Sequence, residues 1–536
     1  SKNKAKLLLI ISRPADNSFF QLTTKPTSMK RSLVVLLCFL FFSQIKAQTD
    51  SLPGFIKDSL DMYVNRALQQ WQIPGAAVCV VKNGKVVVMK GYGVKEAGSN
   101  NAVDENTLFM IGSNSKAFTA TAMAMLDAEK KLSLDDKVQK WLPSFKLYDP
   151  WVAKEANLRD LLCHRLGFET FQGDFMFFDS DLTTAEVTER FAKVKPLYGF
   201  RSHWGYTNAA FGVAGEVIHQ VSGQPWGDFI KEKIFKPLGM NNSLALSKEI
   251  HTAGNKASAH TVVMGELRKI PYGNIDNIAP AGSISSSVQD MSKWVMTLLN
   301  NGKLEGKEVI PVAAIRETRM PHSILGNGGH QFNKAHFALY GLGWFMEEYA
   351  GRKIVAHTGG VNGFVTSVCL IPEEKLGIVV LTNTDANNFY ESLRNEIQDA
   401  YLGLPYRNYS QLSLQFMQAD EKAKSAQHKM IRDSIALNPK TTLPLTAYAG
   451  EYQHAIYGKM NMTIEEGKLI MRFEHHKGRY GTLEPLGGNR FFCTYSDPLY
   501  GMKKLEFVTE GRQVKSITVK VADFVEFTPY EFIKIK

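Results

Sequence analysis

The apolar positions of this chain fall into distinct textures, and each predicts a different kind of element. From Leu52 to about Trp71 they suit a helix with one buried face, and helical patterns return from Ser113 to about Met240, punctuated by Gly and Pro. Between these stretches lies "GAAVCVVKNGKVVVMKGYG", two β-rich runs joined at Asn83-Gly84, the strongest short hairpin signal a sequence can carry. Near 364 to 385 the runs "FVTSVCLIP" and "LGIVVLTNTD" are apolar almost throughout, as strands buried on both faces are, and a helix follows to about Leu402. The connections between strands are too short for crossovers. The pattern therefore predicts a mixed α/β (α+β) domain built on an antiparallel sheet flanked by helices, with a helical subdomain.

A second texture begins after that domain, which the reading places over residues 48–405. Leu412 to Leu437 is charged and periodic enough for a connecting helix, ended by Pro439 and Pro444, inside a linker over 406–444. From 445 to 536 short alternating runs such as "KLIMRF" and "SITVKV" are separated by Gly-containing turns at about ten-residue spacing, which predicts a small all-β barrel or sandwich with a self-contained core. No sustained repeat is visible.

Composition changes this picture only at the N-terminus. The chain has 536 residues, 44% hydrophobic and 21% charged, ample for two cores. Its net charge of +11 looks like a nucleic-acid or membrane signal, but the first 47 residues, with eight Lys/Arg and one acid, take +7 of it and leave +4 for the rest. Nucleic acid is accordingly excluded as a partner. Met29-Lys30-Arg31, the apolar run "LVVLLCFLFF" and the small residue Ala47 stand in the order of an export signal, so 29–47 is expected to be removed and 1–28 to be upstream sequence without a fold. The run is shorter than the roughly 20 residues of a membrane span, so no stable membrane anchor is expected after cleavage and the location implied is periplasmic or extracellular. Cys79, Cys163, Cys369 and Cys493 show no metal-ligand spacing and read as buried fillers; no metal and no cofactor is implied.

Three short motifs carry candidate chemistry. Ser-x-x-Lys occurs at Ser1, Ser43 and Ser113, but only Ser113 and Lys116 stand at the start of an apolar helix, where a lysine among Ala117, Phe118, Ala120 and Met123 should be poorly solvated and low in pKa. If the helix begins at Ser113, its dipole also favours an alkoxide there. Tyr206-Thr207-Asn208 offers a phenol, whose pKa an adjacent ammonium would depress, and a carboxamide able to grip a substrate amide. His357-Thr358-Gly359-Gly360 precedes the strand "FVTSVCLI", where the glycines would let a ligand approach backbone closely. Each motif is weak alone: Y-x-N also occurs at Tyr63, Tyr272 and Tyr406, and H-x-G at His203 and His476.

Together and in this order the three motifs resemble those of the serine β-lactamase and penicillin-binding protein superfamily, in the branch of class C β-lactamases, D,D-carboxypeptidases, D-aminopeptidases and related esterases. The segments "LRDLLCHRLGF", "GYTNAAFGVAGEVIHQVSGQPWGDFIKEKIFKPLGM" and "PAGSISSSVQDMSKWVMTLLNNG" extend the likeness over roughly Leu52 to Leu404. The resemblance implies that Ser113 is acylated, that Lys116 and Tyr206 share general-base work, with either as holder of the proton, and that Asn208 contacts the substrate amide. It implies an oxyanion hole from the backbone N–H groups of Ser113 and Gly360. His357 stands where class C enzymes have a lysine facing a substrate carboxylate, which favours a peptidase or esterase reading over efficient β-lactam hydrolysis. "CHRLG" departs from the family pattern at Cys163 to Gly167. The final region resembles a lipocalin-like module. The expected function is an exported serine hydrolase acting on short peptides, amides or esters, D-amino-acid substrates included; a true β-lactamase and a non-catalytic ligand-binding protein are the alternatives. Oligomeric state is left open.

Overall fold

The computed structural model describes residues 52–535 apart from 327 and 334. The expected export signal lies outside the described residues. Leu60–Gln70 forms the first α-helix (α1), entered through a π-helical turn at Phe55–Ser59. Gly75–Lys82 (β1) and Lys85–Gly93 (β2) form the expected hairpin, and Asn83 and Gly84 both take positive φ, 53° and 74°, as its two-residue turn requires.

The helical subdomain follows, with Ser115–Ala128 (α2), Asn208–Ser222 (α3) and Val288–Leu299 (α4) as its longest members. The chain then returns to the sheet through Ser323–Gly326 (β3), Ala338–Tyr340 (β4), Phe345–Tyr349 (β5), Arg352–Val361 (β6), Phe364–Ile371 (β7) and Leu376–Thr382 (β8). The eight strands pair antiparallel in the order β2-β1-β8-β7-β6-β5-β4-β3. Alternation sorts the central strands onto two cores. Ala77, Cys79, Val81, Val379 and Leu381 face the helical subdomain, whereas Ala76, Val78, Val80, Ile378 and Val380 face α1 and Phe389–Tyr401 (α5).

Tyr409–Ala436 (α6) leads to the last region, a closed eight-stranded barrel. Its strands are Gly450–His454 (β9), Gly458–Glu465 (β10), Lys468–Phe473 (β11), Gly481–Gly487 (β12), Arg490–Tyr495 (β13), Met502–Glu510 (β14), Gln513–Val519 (β15) and Tyr530–Lys534 (β16). Each pairs with its sequence neighbour, and β9 closes on β16 through Tyr452 with Lys534 and Gln453 with Ile533. Met460, Met471, Phe491, Phe507 and Ile517 are among the buried side chains of its core. That core is not self-contained as expected, because it is continuous with the core between the large sheet and the helical subdomain. Phe175, from the helical subdomain, sits against barrel residues Tyr457, Phe473, His476 and Tyr500, and barrel Arg479 pairs at 3.2 Å with buried Asp179. The four cysteines are buried and unpaired, and burial pushes the thiols of Cys79 and Cys163 up to about 12 and about 11.

Candidate active site

Ser113 does not open a helix as expected. It lies in a 3-10 turn, Gly112–Asn114, and α2 begins at Ser115. The turn is held from several sides: Asn114 Nδ2 donates to Thr366 Oγ1 at 2.9 Å, and Ser115 Oγ donates to Gly112 O at 2.7 Å. The free edge of β6 runs beside it, since β5 pairs with β6 only as far as Ala356. This approach requires the glycines. A Cβ on Gly112 would stand 2.8 Å from Gly360 N, and one on Gly359 would stand 1.9 Å from Ile111 O. The backbone of Gly360 thereby faces the turn that bears Ser113.

Lys116 is fully buried on the first turn of α2. Its Nζ lies 3.1 Å from Ser113 Oγ, 2.6 Å from Asn208 Oδ1 and 2.7 Å from Ala281 O, with the Tyr206 ring 4.6 Å away. Burial holds its pKa well below that of a free lysine, against a pull upward from Asp174. As a neutral amine it donates two N–H bonds to Asn208 and Ala281, both acceptors there, and turns its lone pair to the Ser113 hydroxyl. As an ammonium it can donate to all three. The same contacts therefore serve both sides of a proton transfer, with no rearrangement.

Tyr206 corrects one expectation. Its hydroxyl bonds Ser113, but burial pushes its pKa above the ordinary phenol value, with Asp174 adding to the rise. Desolvation disfavours the Lys116 ammonium that would depress the phenol, so of the two groups the lysine is the readier to accept a proton.

Asn208 opens α3 and brings in a residue that the sequence reading missed. Its Oδ1 accepts from Lys116, while its Nδ2 donates to Asp174 Oδ2 at 2.5 Å, leaving one amide hydrogen for a substrate. Asp174 is 3% exposed and its Oδ1 is without a hydrogen-bond partner. Burial, reinforced by nearby Glu526, raises its pKa well above the usual carboxylate range. The one sequence signal for it was an acid placed among aromatics in "QGDFMFF".

His357 also differs from its expected role. Its ring is 2% exposed, with Nδ1 at 2.6 Å from Thr358 O and Nε2 at 3.1 Å from Tyr340 Oη. Tyr340 Oη in turn meets His164 Nε2 at 3.3 Å, and His164 Nδ1 accepts the Thr207 N–H at 3.0 Å. The chain is satisfied with both imidazoles neutral: Nε2–H of His164 donates to Tyr340, whose hydroxyl donates to His357. Burial lowers His357 to about 3, with Lys116 contributing. The ring supports Tyr206 from behind, 6.1 Å between centroids, and has no nitrogen left for a carboxylate. His164, inside the departing "CHRLG" segment, stacks on Tyr206 at 4.4 Å.

The open side of the cleft is walled by aromatics from both regions. Barrel residue Phe524 lies 3.2 Å from where a Gly360 Cβ would stand, and Phe527 meets Phe171 at 5.3 Å, which meets Tyr206 at 5.6 Å. Among the described residues no group of three or more His, Cys, Asp or Glu is placed to hold a metal ion.

Two family models match the two regions of the chain. The family described as Beta-lactamase matches residues 60–402, and a second, described as a domain of unknown function (DUF3471), matches 436–533. Unguisins hydrolase ungD of Aspergillus violaceofuscus (strain CBS 115571) is 28% identical over 480 residues, covering 81% of this chain and 83% of its own. Protein flp of Staphylococcus aureus (strain MRSA252) is 26% identical over 62% of this chain and 63% of its own. Among solved structures, the octameric penicillin-binding protein homologue from Pyrococcus abyssi superposes with a TM-score of 0.56 at 21% identity, covering 89% of this chain and 99% of the homologue. The antiparallel sheet, the Ser113 turn against β6 and the match over 60–402 lead to one conclusion: the chain belongs to the beta-lactamase family of serine hydrolases.

Proposed function

We propose that this protein cleaves short peptide amides or esters through an acyl-enzyme on Ser113. The observation that carries the reading is the environment of Lys116, a buried lysine whose hydrogen bonds suit it before and after it takes a proton from Ser113. In the reaction Ser113 Oγ attacks the carbonyl carbon as its proton passes to Lys116. The oxyanion forms against the N–H groups of Ser113 and Gly360, a contact worth roughly 3 kcal/mol per donor in acyl transfer. Asn208 Oδ1 and Ala281 O accept from the lysine cation, and Asp174 holds the Asn208 amide in place. Tyr206 hands its proton to the departing nitrogen or oxygen and is reprotonated from Lys116; water then attacks the acyl-enzyme by the reverse relay.

The substrate class follows from the walls. Phe171, Phe524 and Phe527 favour apolar groups, and neutral His357 offers nothing to an anionic one, which argues for peptidase or esterase chemistry over β-lactam turnover. A relative named as a hydrolase of unguisins is in keeping with this. Export rests on the order of charge, apolar run and small residue over 29–47, and a mature N-terminus at Gln48 in secreted protein would support it. The function is tested with paired L- and D-aminoacyl amides, p-nitrophenyl esters and a fluorophosphonate probe. Turnover and labelling that both vanish in Ser113→Ala are expected, and full activity in that variant would refute the proposal.

A further inference from the structure

Among the barrel's contacts with the catalytic region is a buried carboxylate. Glu526, in the connection between β15 and β16, is fully buried. Its Oε1 accepts from Gly173 N at 2.6 Å and from the hydroxyl of Tyr530; its Oε2 accepts from Phe175 N at 3.0 Å and from Tyr457 Oη at 2.8 Å. Four donors converge on two oxygens: a carboxylate accepts all four, a carboxylic acid can turn its own O–H to one of the tyrosine hydroxyls, and a carboxamide fits worst because its NH2 meets a backbone N–H. Two of the donors are the backbone N–H groups on either side of Asp174. The same turn is held at its carbonyl, since His476 Nε2 donates to Phe175 O at 2.8 Å.

We infer that Glu526 is a positioning residue for catalysis: by fixing the Gly173–Phe175 turn it sets Asp174 against Asn208, and Asn208 against Lys116. The barrel is then a working part of the site, and the inference rests on the Ser113 chemistry proposed above. The chain of contacts is continuous. Glu526 takes the N–H groups flanking Asp174, Asp174 takes Asn208 Nδ2, and Asn208 Oδ1 takes Lys116 Nζ. Gly173 has φ +89°, a shape open to glycine, and without Glu526 the buried Phe175 N–H would lose its acceptor while Gly173 N–H would keep only Tyr530 Oη at 3.1 Å. The titratable groups facing Glu526 are Asp174 from the catalytic region and Tyr457 and Tyr530 from the barrel. Burial pushes Glu526 up to about 7, and where it is ionised its charge adds to the rise of Asp174.

The test uses the full chain and the rate of Ser113 labelling by a fluorophosphonate, together with kcat and KM for p-nitrophenyl butyrate. Glu526→Gln keeps the shape but offers an amide where two donors point. It should slow labelling and kcat about tenfold, about 1.4 kcal/mol, with KM little changed. Below about 7 Glu526 is itself neutral, so parent and variant differ in charge only above that pH, where the variant's Asp174 ionises more readily and favours the lysine cation; the loss of rate should therefore grow as pH rises through about 7, a change that a merely structural role would not produce. Asp174→Asn should cause a comparable loss, and the double variant should lose little more than either single, because both act along one route. Tyr530→Phe removes one donor, and a loss of about threefold in that variant tests the same contact if Glu526→Gln folds poorly. Folded variants that label at the parental rate, or losses that multiply in the double variant, would overturn the inference while leaving the Ser113 chemistry standing. A parent that is neither labelled nor active would instead remove the proposed function itself.

Discussion

Replacing His357 by lysine separates two pictures of this cleft. If position 357 faces a substrate carboxylate, as the sequence pattern suggested, a permanent cation there improves the acylation of carboxylate-bearing β-lactams. The structure gives the opposite expectation. The fall of the imidazole from 6.5 to about 3, at about 1.4 kcal/mol for each tenfold, sets roughly 5 kcal/mol against any cation at this position. A lysine carries the same penalty with a reference value of about 10.4, so its folded pKa should come down to about 7. The sign is then fixed. Between about pH 7 and 10.4 the unfolded variant binds a proton that the folded variant releases, so stability rises with pH across that window. The deficit relative to the parent should be roughly 5 kcal/mol at pH 7 and under about 1 kcal/mol at pH 10. Urea unfolding followed by intrinsic fluorescence at both pH values, parent against variant, measures it, and the subtraction cancels shared titrations such as that of Lys116. A deficit that is absent or equal at both pH values, accompanied by faster acylation of a carboxylate-bearing β-lactam relative to a neutral ester, would show that the side chain reaches the cleft and that the burial argument is wrong.

Other expectations follow from the same geometry. Lys116→Met should cut ester turnover by roughly 100-fold or more; because the folded lysine pKa is depressed, the variant should also be more stable than the parent at pH 7, an advantage that fades as pH approaches the unfolded value. For the parent, kcat/KM for an ester should rise with pH through the lysine ionisation, and that rise should lie below the value of about 10.4 for a free lysine. Gly359→Ala would place a Cβ 1.9 Å from Ile111 O, pushing β6 off the Ser113 turn, and a displacement of about 1 Å should cost on the order of 100-fold in acylation; parental labelling would refute this. A chain ending near Tyr406 should aggregate or unfold non-cooperatively, since it would expose Phe175 and leave buried Asp179 without Arg479, and a soluble, cooperatively folding product would contradict the shared core.

Much of the architecture was legible because it is local. The hairpin turn at Asn83-Gly84, the fully apolar strands β7 and β8 and the alternating barrel strands each announce themselves within a dozen residues. Lys116 was legible too, since a lysine on an apolar helix face can only be desolvated. What escaped the sequence depends on distant partners. Asp174 matters because of Asn208, 34 residues away, and Glu526 because of Gly173, 353 residues away, and no periodicity links them. The helix start slipped from Ser113 to Ser115 because tertiary bonds from Thr366 and Ile284 reshape the local preference into a 3-10 turn. Tyr206 went the other way from expectation because burial acts on both members of the pair, raising the phenol and disfavouring the ammonium that would have depressed it.

The seam of the barrel has a consequence for how the protein is made. Strands β9 and β16 lie at opposite ends of the barrel sequence, and the pairs Tyr452 with Lys534 and Gln453 with Ile533 close the sheet. A ribosome delivers β9 first and β16 about eighty residues later, at 5–20 residues per second. For those seconds β9 and each newest strand present open edges, the surfaces on which other chains nucleate aggregates. Glu526 emerges only just before β16, so the catalytic region waits with its shared core incomplete and its Asp174 turn unanchored until these strands arrive. Nascent chains stalled before Lys534 should therefore be both chaperone-dependent and slow toward the fluorophosphonate, with reactivity and solubility maturing together.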